Sequence, residues 1–127
     1  MQENLLFEYA VVRVMPSVER EEFLNVGVIL YAHKKKFLAM LYKIESEKLR
    51  AFSAKLDIDE VKQHLLAFER ICSGGLAAGP IGKLDAASRF RWLTATRSTV
   101  VQTSKVHPGL CVDPGKALER LFEQLVV

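Results

Sequence analysis

Three apolar runs rich in β-branched and aromatic residues open the chain: Tyr9-Ala-Val-Val-Arg-Val-Met-Pro16, Leu24-Asn-Val-Gly-Val-Ile-Leu-Tyr31 and Phe37-Leu-Ala-Met-Leu-Tyr42. Charged connections separate them, Ser-Val-Glu-Arg-Glu-Glu-Phe in the first case and His-Lys-Lys-Lys in the second. This spacing predicts strands over residues 5–15, 24–32 and 37–43, paired as an antiparallel meander. Pro16 closes the first strand, because it has no N–H for a ladder bond. Gly27 predicts a bulge or the close approach of another backbone. The second connection has neither Gly nor Asn, so a four-residue turn fits it better than a two-residue one.

After Ile44 the hydrophobic period changes. A short helix is expected over residues 46–52, capped by Ser46, with Leu49 and Phe52 inward. Asp57 and Glu60 have capping-box spacing, and Ile58, Val61, Leu65, Phe68 and Cys72 then recur at helical steps until Gly74 and Gly75. Residues 76–83 are small and turn-rich. Gly82-Lys83 does not make a phosphate-binding loop: Ala77 replaces the first glycine and Leu84 stands where a hydroxyl must reach magnesium. Residues 85–96 read as a short helix capped by Asp85, residues 99–104 as a fourth strand, and His107-Pro-Gly as a turn. Asp113-Pro114 starts a closing helix. The pattern implies a single α+β domain over residues 1–127, an antiparallel sheet of about four strands with helices on one face as a single layer pair.

Composition narrows the class. Half of the 127 residues are hydrophobic and 26% are charged, an ordinary globular balance. No apolar run is long enough to span a bilayer, and Met-Gln-Glu-Asn does not open a secretory signal. Cys72 and Cys111 are the only cysteines, far apart and without metal-ligand spacing, and read as reduced core thiols. A cytoplasmic protein without cofactor or metal is expected. The net charge of +3 permits an anionic partner without demanding one.

Two polar concentrations remain. Arg13 stands mid-strand among apolar neighbours. It reads either as a side chain whose stem lies on the sheet with its head in water, or as a half-buried guanidinium held for a carboxylate or another anion. The second concentration is Arg97-Ser-Thr-Val-Val-Gln-Thr-Ser-Lys-Val-His107. It is either a solvated strand face or a set of donors for a phosphate or carboxylate. His107 is a candidate general base only if it reaches Ser98 or Ser104.

Tyr9-Ala-Val-Val-Arg-Val-Met-Pro, followed by Arg20, Glu22 and Asn25-Val-Gly-Val, resembles the opening signature of the family catalogued as domain of unknown function 3037. Gly79-Pro-Ile-Gly, Arg89-Phe-Arg-Trp-Leu, Arg97-Ser-Thr-Val-Val-Gln and His107-Pro-Gly-Leu agree with its later segments. The resemblance covers nearly the whole chain; Met15 and Ala95-Thr96 depart from its pattern. It implies a small, bacterial, stand-alone protein of no established activity, encoded beside kinases resembling the HipA toxin kinase, hence a HipA-like kinase as partner. The family pattern falls on Arg13, Pro16, Arg20, Glu22, Asn25, Gly27, Trp92, Arg97, Ser98, Gln102, Ser104, His107 and Gly109.

The resulting expectation is a non-catalytic binding or regulatory domain. Arg13, Arg20, Asn25, Arg97, Ser98, Gln102 and His107 would contact an anionic ligand or a protein partner. One alternative is a hydrolase or phosphotransfer enzyme using His107 with Ser98 or Ser104. A second is nucleic-acid binding through Lys34, Lys35, Lys36, Arg89 and Arg91.

Overall fold

The computed structural model describes residues 3–127. Met1 and Gln2, which open the segment read as no secretory signal, lie outside the described residues. Five strands form one antiparallel sheet: β1 (Leu5–Val14), β2 (Leu24–Ala32), β3 (Phe37–Tyr42), β4 (Val101–Thr103) and β5 (His107–Cys111). The order is β3-β2-β1, with β4 and β5 in succession along the far side of β1. The helices are α1 (Ser46–Phe52), α2 (Ile58–Ser73), α3 (Ala86–Leu93) and α4 (Pro114–Leu125). Single 3₁₀ turns lie at Val18–Arg20 and His33–Lys35, and a kinked 3₁₀ stretch at Leu76–Lys83.

The α+β class, the meander and three of the four helix caps follow the sequence. Asp57, Asp85 and Asp113 each accept the N–H three residues on, at 3.2, 2.8 and 3.2 Å. Each thereby pairs one of the donors a helix start leaves free. Ser46 does not cap α1; it is the first helical residue, and Glu45 precedes it in extended conformation without a side-chain cap.

Two arrangements differ from expectation. His107-Pro-Gly is not a turn but the start of β5, paired with Tyr9, Glu8 and Phe7. Proline is tolerated there because β5 lies on the sheet edge. Gly109 is required because a Cβ would overlap the Phe7 ring. The helices also do not stay on one face. Strand alternation sends Val12, Val14, Ile29, Tyr31 and Met40 toward α2 and α3. It sends Leu5, Phe7, Val28 and Leu30 to the other side, where α4 covers them with Ala117, Leu118 and Leu121. The central strand β2 is apolar at nearly every position, as a strand buried on both faces must be. The sheet therefore lies between two helical layers.

A bulge breaks this alternation where it matters. Val12 pairs with Gly27 but Arg13 pairs with Asn25, leaving Val26 as the extra residue. Gly27 also meets the close approach expected of it: a Cβ would lie 2.8 Å from the Leu41 carbonyl oxygen and 2.9 Å from Tyr42 Cβ on β3. By uninterrupted alternation Asn25 would share a face with Gly27 and Ile29. The bulge turns it to the opposite face, beside Arg13.

Candidate functional site on the open sheet face

The candidate site grows from one row across three strands. Arg13, near the end of β1, lies directly opposite Asn25 on β2 and Gln102 on β4. Directly opposed residues in an antiparallel ladder share a face. Tyr9 and Val11 follow on that face, and Tyr9 is paired with His107 of β5. Helix α4 packs on this side chiefly against β2 and β3. It also covers Leu5 and Phe7 at the start of β1, so the part left with side chains in place of a helix is the Tyr9–Arg13 end of β1 with its neighbours on β4 and at the start of β5. Arg13, Asn25 and Gln102 are half-buried, and His107 is exposed.

Each polar group has identifiable surroundings. The Arg13 guanidinium lies 3.9 Å from the centre of the Phe23 ring, close enough for a cation–π contact. Asn25 Nδ2 donates to the Leu125 carbonyl in the last turn of α4 at 3.1 Å, which ties β2 to the helix end. Gln102 Nε2 donates to the Thr99 carbonyl at 3.0 Å. Two buried atoms in the row have no hydrogen-bond partner among the described residues: Arg13 Nε, a donor, and Asn25 Oδ1, an acceptor. Buried polar atoms are nearly always paired, because leaving one unpaired costs about 1–3 kcal/mol. The two atoms belong to residues directly opposed in the β1–β2 ladder, so the row holds one unmet donor and one unmet acceptor, both shielded from solvent.

His107 stacks on Tyr9 with ring centroids 5.4 Å apart and planes at 36°. It stands level with Tyr9, four strand residues from Arg13, on the order of 13 Å along the strand. It extends the same face without touching the Arg13 row.

The other expected residues go elsewhere. Arg20 forms an exposed ion pair with Glu22 at 2.8 Å. Arg97 belongs to the opposite helical layer: its Nη2 donates to the Trp92 carbonyl at the end of α3, and its guanidinium lies 4.7 Å from the Trp92 ring and 5.1 Å from the Phe68 ring. Desolvation there lowers its pKa from the ordinary arginine value. Ser98 is exposed. Ser104 is buried, where its Oγ accepts the Val11 N–H at 2.8 Å and donates to the Lys105 carbonyl at 2.9 Å. That hydroxyl stands in for a strand carbonyl where β1 passes from β4 to β5.

Of the basic residues considered for nucleic acid, Arg89 closes the end of α2. Its Nη1 donates to the Ile71 and Cys72 carbonyls at 2.7 and 2.8 Å, and its Nε to the Leu84 carbonyl at 3.0 Å. Lys34 pairs with Glu3 at 2.6 Å. Sequence reasoning did not find Phe23, which lies over Arg13, or Tyr9 as the platform for His107. An aromatic residue at the entry of the strand opposite an interior arginine was the available signal for the first.

No group of three or more His, Cys, Asp or Glu residues is placed to hold a metal among the described residues. None of the described helices is long and apolar enough to cross a membrane. A family model with the description Protein of unknown function (DUF3037) matches residues 9–126. Searches of curated proteins and of solved structures return no match.

Proposed function

The chain belongs to the family of proteins of unknown function DUF3037, and from that premise we propose that it is a non-catalytic binding or regulatory domain. Its open sheet face takes an anionic group, carried by a small ligand or by a protein partner. Arg13 supplies the charge, Asn25 and Gln102 supply amides, and the stacked Tyr9–His107 pair extends the surface. The observation that carries this reading is the pair of unmet hydrogen-bonding atoms, Arg13 Nε and Asn25 Oδ1. A phosphate monoester monoanion, which accepts through its oxygens and donates through its one remaining O–H, satisfies the two together. Phe23 holds the guanidinium plane against thermal motion, so less side-chain entropy is lost on binding. A HipA-like kinase, the partner implied by the family resemblance, would bring such a group on its surface.

The catalytic reading asks His107 to reach either Ser98, which is exposed, or Ser104, whose hydroxyl already makes two backbone hydrogen bonds, and the binding reading asks nothing further of either.

Thermal denaturation with inorganic phosphate at constant ionic strength tests the proposal. A rise in Tm is expected for the natural protein, and none for Arg13→Met. An equal rise in both, or none in either, contradicts it.

A further inference from the structure

The two edges of the sheet are built differently. On one side lie β4, three residues long, and β5, whose second residue is Pro108. Short strands and proline both discourage pairing with another chain. The other edge is β3, six residues without charge or proline, in unbroken register with β2. Half of its backbone faces outward. The Lys43 N–H, just past the strand, donates to the Val26 carbonyl at 2.8 Å. Strand alternation then directs the N–H and C=O groups of Phe37, Ala39 and Leu41 to β2, and those of Leu38, Met40 and Tyr42 away from it. No described strand pairs with that outer side.

A groove of about 480 Å³ runs beside this edge. Leu38, Ala39 and Met40 form one wall. Consecutive strand residues point to opposite faces, so a wall containing all three is the strand's edge. The end of α2 and the turn after it, through Glu69, Arg70 and Ala77, form the other wall.

We infer that β3 pairs antiparallel with β3 of a second copy of this chain, about a two-fold axis, joining two five-stranded sheets into one. The inference is independent of the ligand face, which lies at the β1–β4–β5 end. The fitting strand must be uncharged and apolar on both faces, since it would lie beside Leu38 and Met40 on one and Ala39 and Leu41 on the other. β3 itself has that character. Pairing centred on Met40 sets Leu38 opposite Tyr42 and Ala39 opposite Leu41 of the second copy. The outward backbone groups then face one another, and each helical layer continues into its equivalent. The charged residues of the groove, Glu69 and Arg70, are one acid and one base in adjacent positions. The groove therefore carries no excess of one sign to repel a second copy.

Sedimentation equilibrium over roughly a hundredfold concentration range, combined with residue-resolved amide exchange, tests this. The expected result is a species of twice 14.3 kDa, with the Leu38, Met40 and Tyr42 amides slowing as it forms. Leu38→Pro should be monomeric and folded, because the N–H it removes makes no bond to β2. If that variant does not fold, the amide exchange of the natural protein decides. A monomer at every concentration overturns the inference and leaves the edge to a strand from a different protein. A dimer in which those three amides still exchange freely also overturns it.

Discussion

At the residue scale, the polar side chains divide into those that hold the backbone and those that the backbone holds out. Ser104 is of the first kind. Replacing it with alanine leaves the buried Val11 N–H without its acceptor and should cost about 1–3 kcal/mol, read as a lower denaturant midpoint with the fold retained. Gly109→Ala should cost a similar amount, about 1–3 kcal/mol, because the added methyl overlaps the Phe7 ring. Arg13 is of the second kind, with its Nε unmet, and Asn25 is of both: its Nδ2 holds the Leu125 carbonyl while its Oδ1 is left unmet. Both readings of Arg13 were legible in the sequence. Its cross-strand neighbour was not: Gly27 marked a bulge as one of two readings, but not that the extra residue, Val26, moves Asn25 to the other face beside Arg13.

At the element scale, the helices were legible because period and caps agree. The stripe from Ile58 to Cys72 and the cap at Asp57 point to the same element, and α2 follows. β5 was hidden by Pro108 and Gly109, which interrupt strands in general and are accommodated here by an edge position and an underlying phenylalanine ring. Arg97 shows the limit of assigning a polar cluster from sequence alone: a residue adjacent in the chain to Ser98 and Gln102 folds away to close α3 over Trp92 and Phe68.

The cap of α3 makes a pH prediction. Asp85 accepts the Ser88 N–H, which lowers its pKa below the ordinary aspartate value. A carboxylate with a depressed folded pKa contributes stability that is present above its unfolded pKa and is lost as pH falls through the folded value. Acid titration of Tm should therefore show a loss in and below the normal carboxylate range. Asp85→Asn, which caps without titrating, should shallow that limb.

At the scale of the whole molecule, the sheet separates two apolar clusters, one under α2 and α3 and one under α4. The sequence showed that helices cover the sheet but not that they divide between its faces. Each helix has one apolar stripe, and a stripe fits either side. The division also places the cysteines apart, Cys72 in one cluster and Cys111 in the other, both free and buried. Burial pushes the Cys72 thiol up to about 12. In the folded state it should react with a thiol reagent near neutral pH far more slowly than the unfolded chain does, since the thiolate is the nucleophile.

The division of the helices has a further consequence. Helix α4 covers β2, β3 and the Leu5–Phe7 end of β1 and leaves the Tyr9–Arg13 end of that strand without a helix, where Arg13 and Gln102 are half-buried and His107 is exposed. The most direct measurement of the binding reading is the NMR resonance of Arg13 Nε–H, followed as inorganic phosphate is added. The account predicts a resonance without a hydrogen-bonded shift in the free protein. On phosphate addition it should move saturably, together with the Asn25 and Gln102 side-chain amides. A free protein in which Arg13 Nε–H is already bonded to Asn25 Oδ1, unmoved by phosphate, would contradict it.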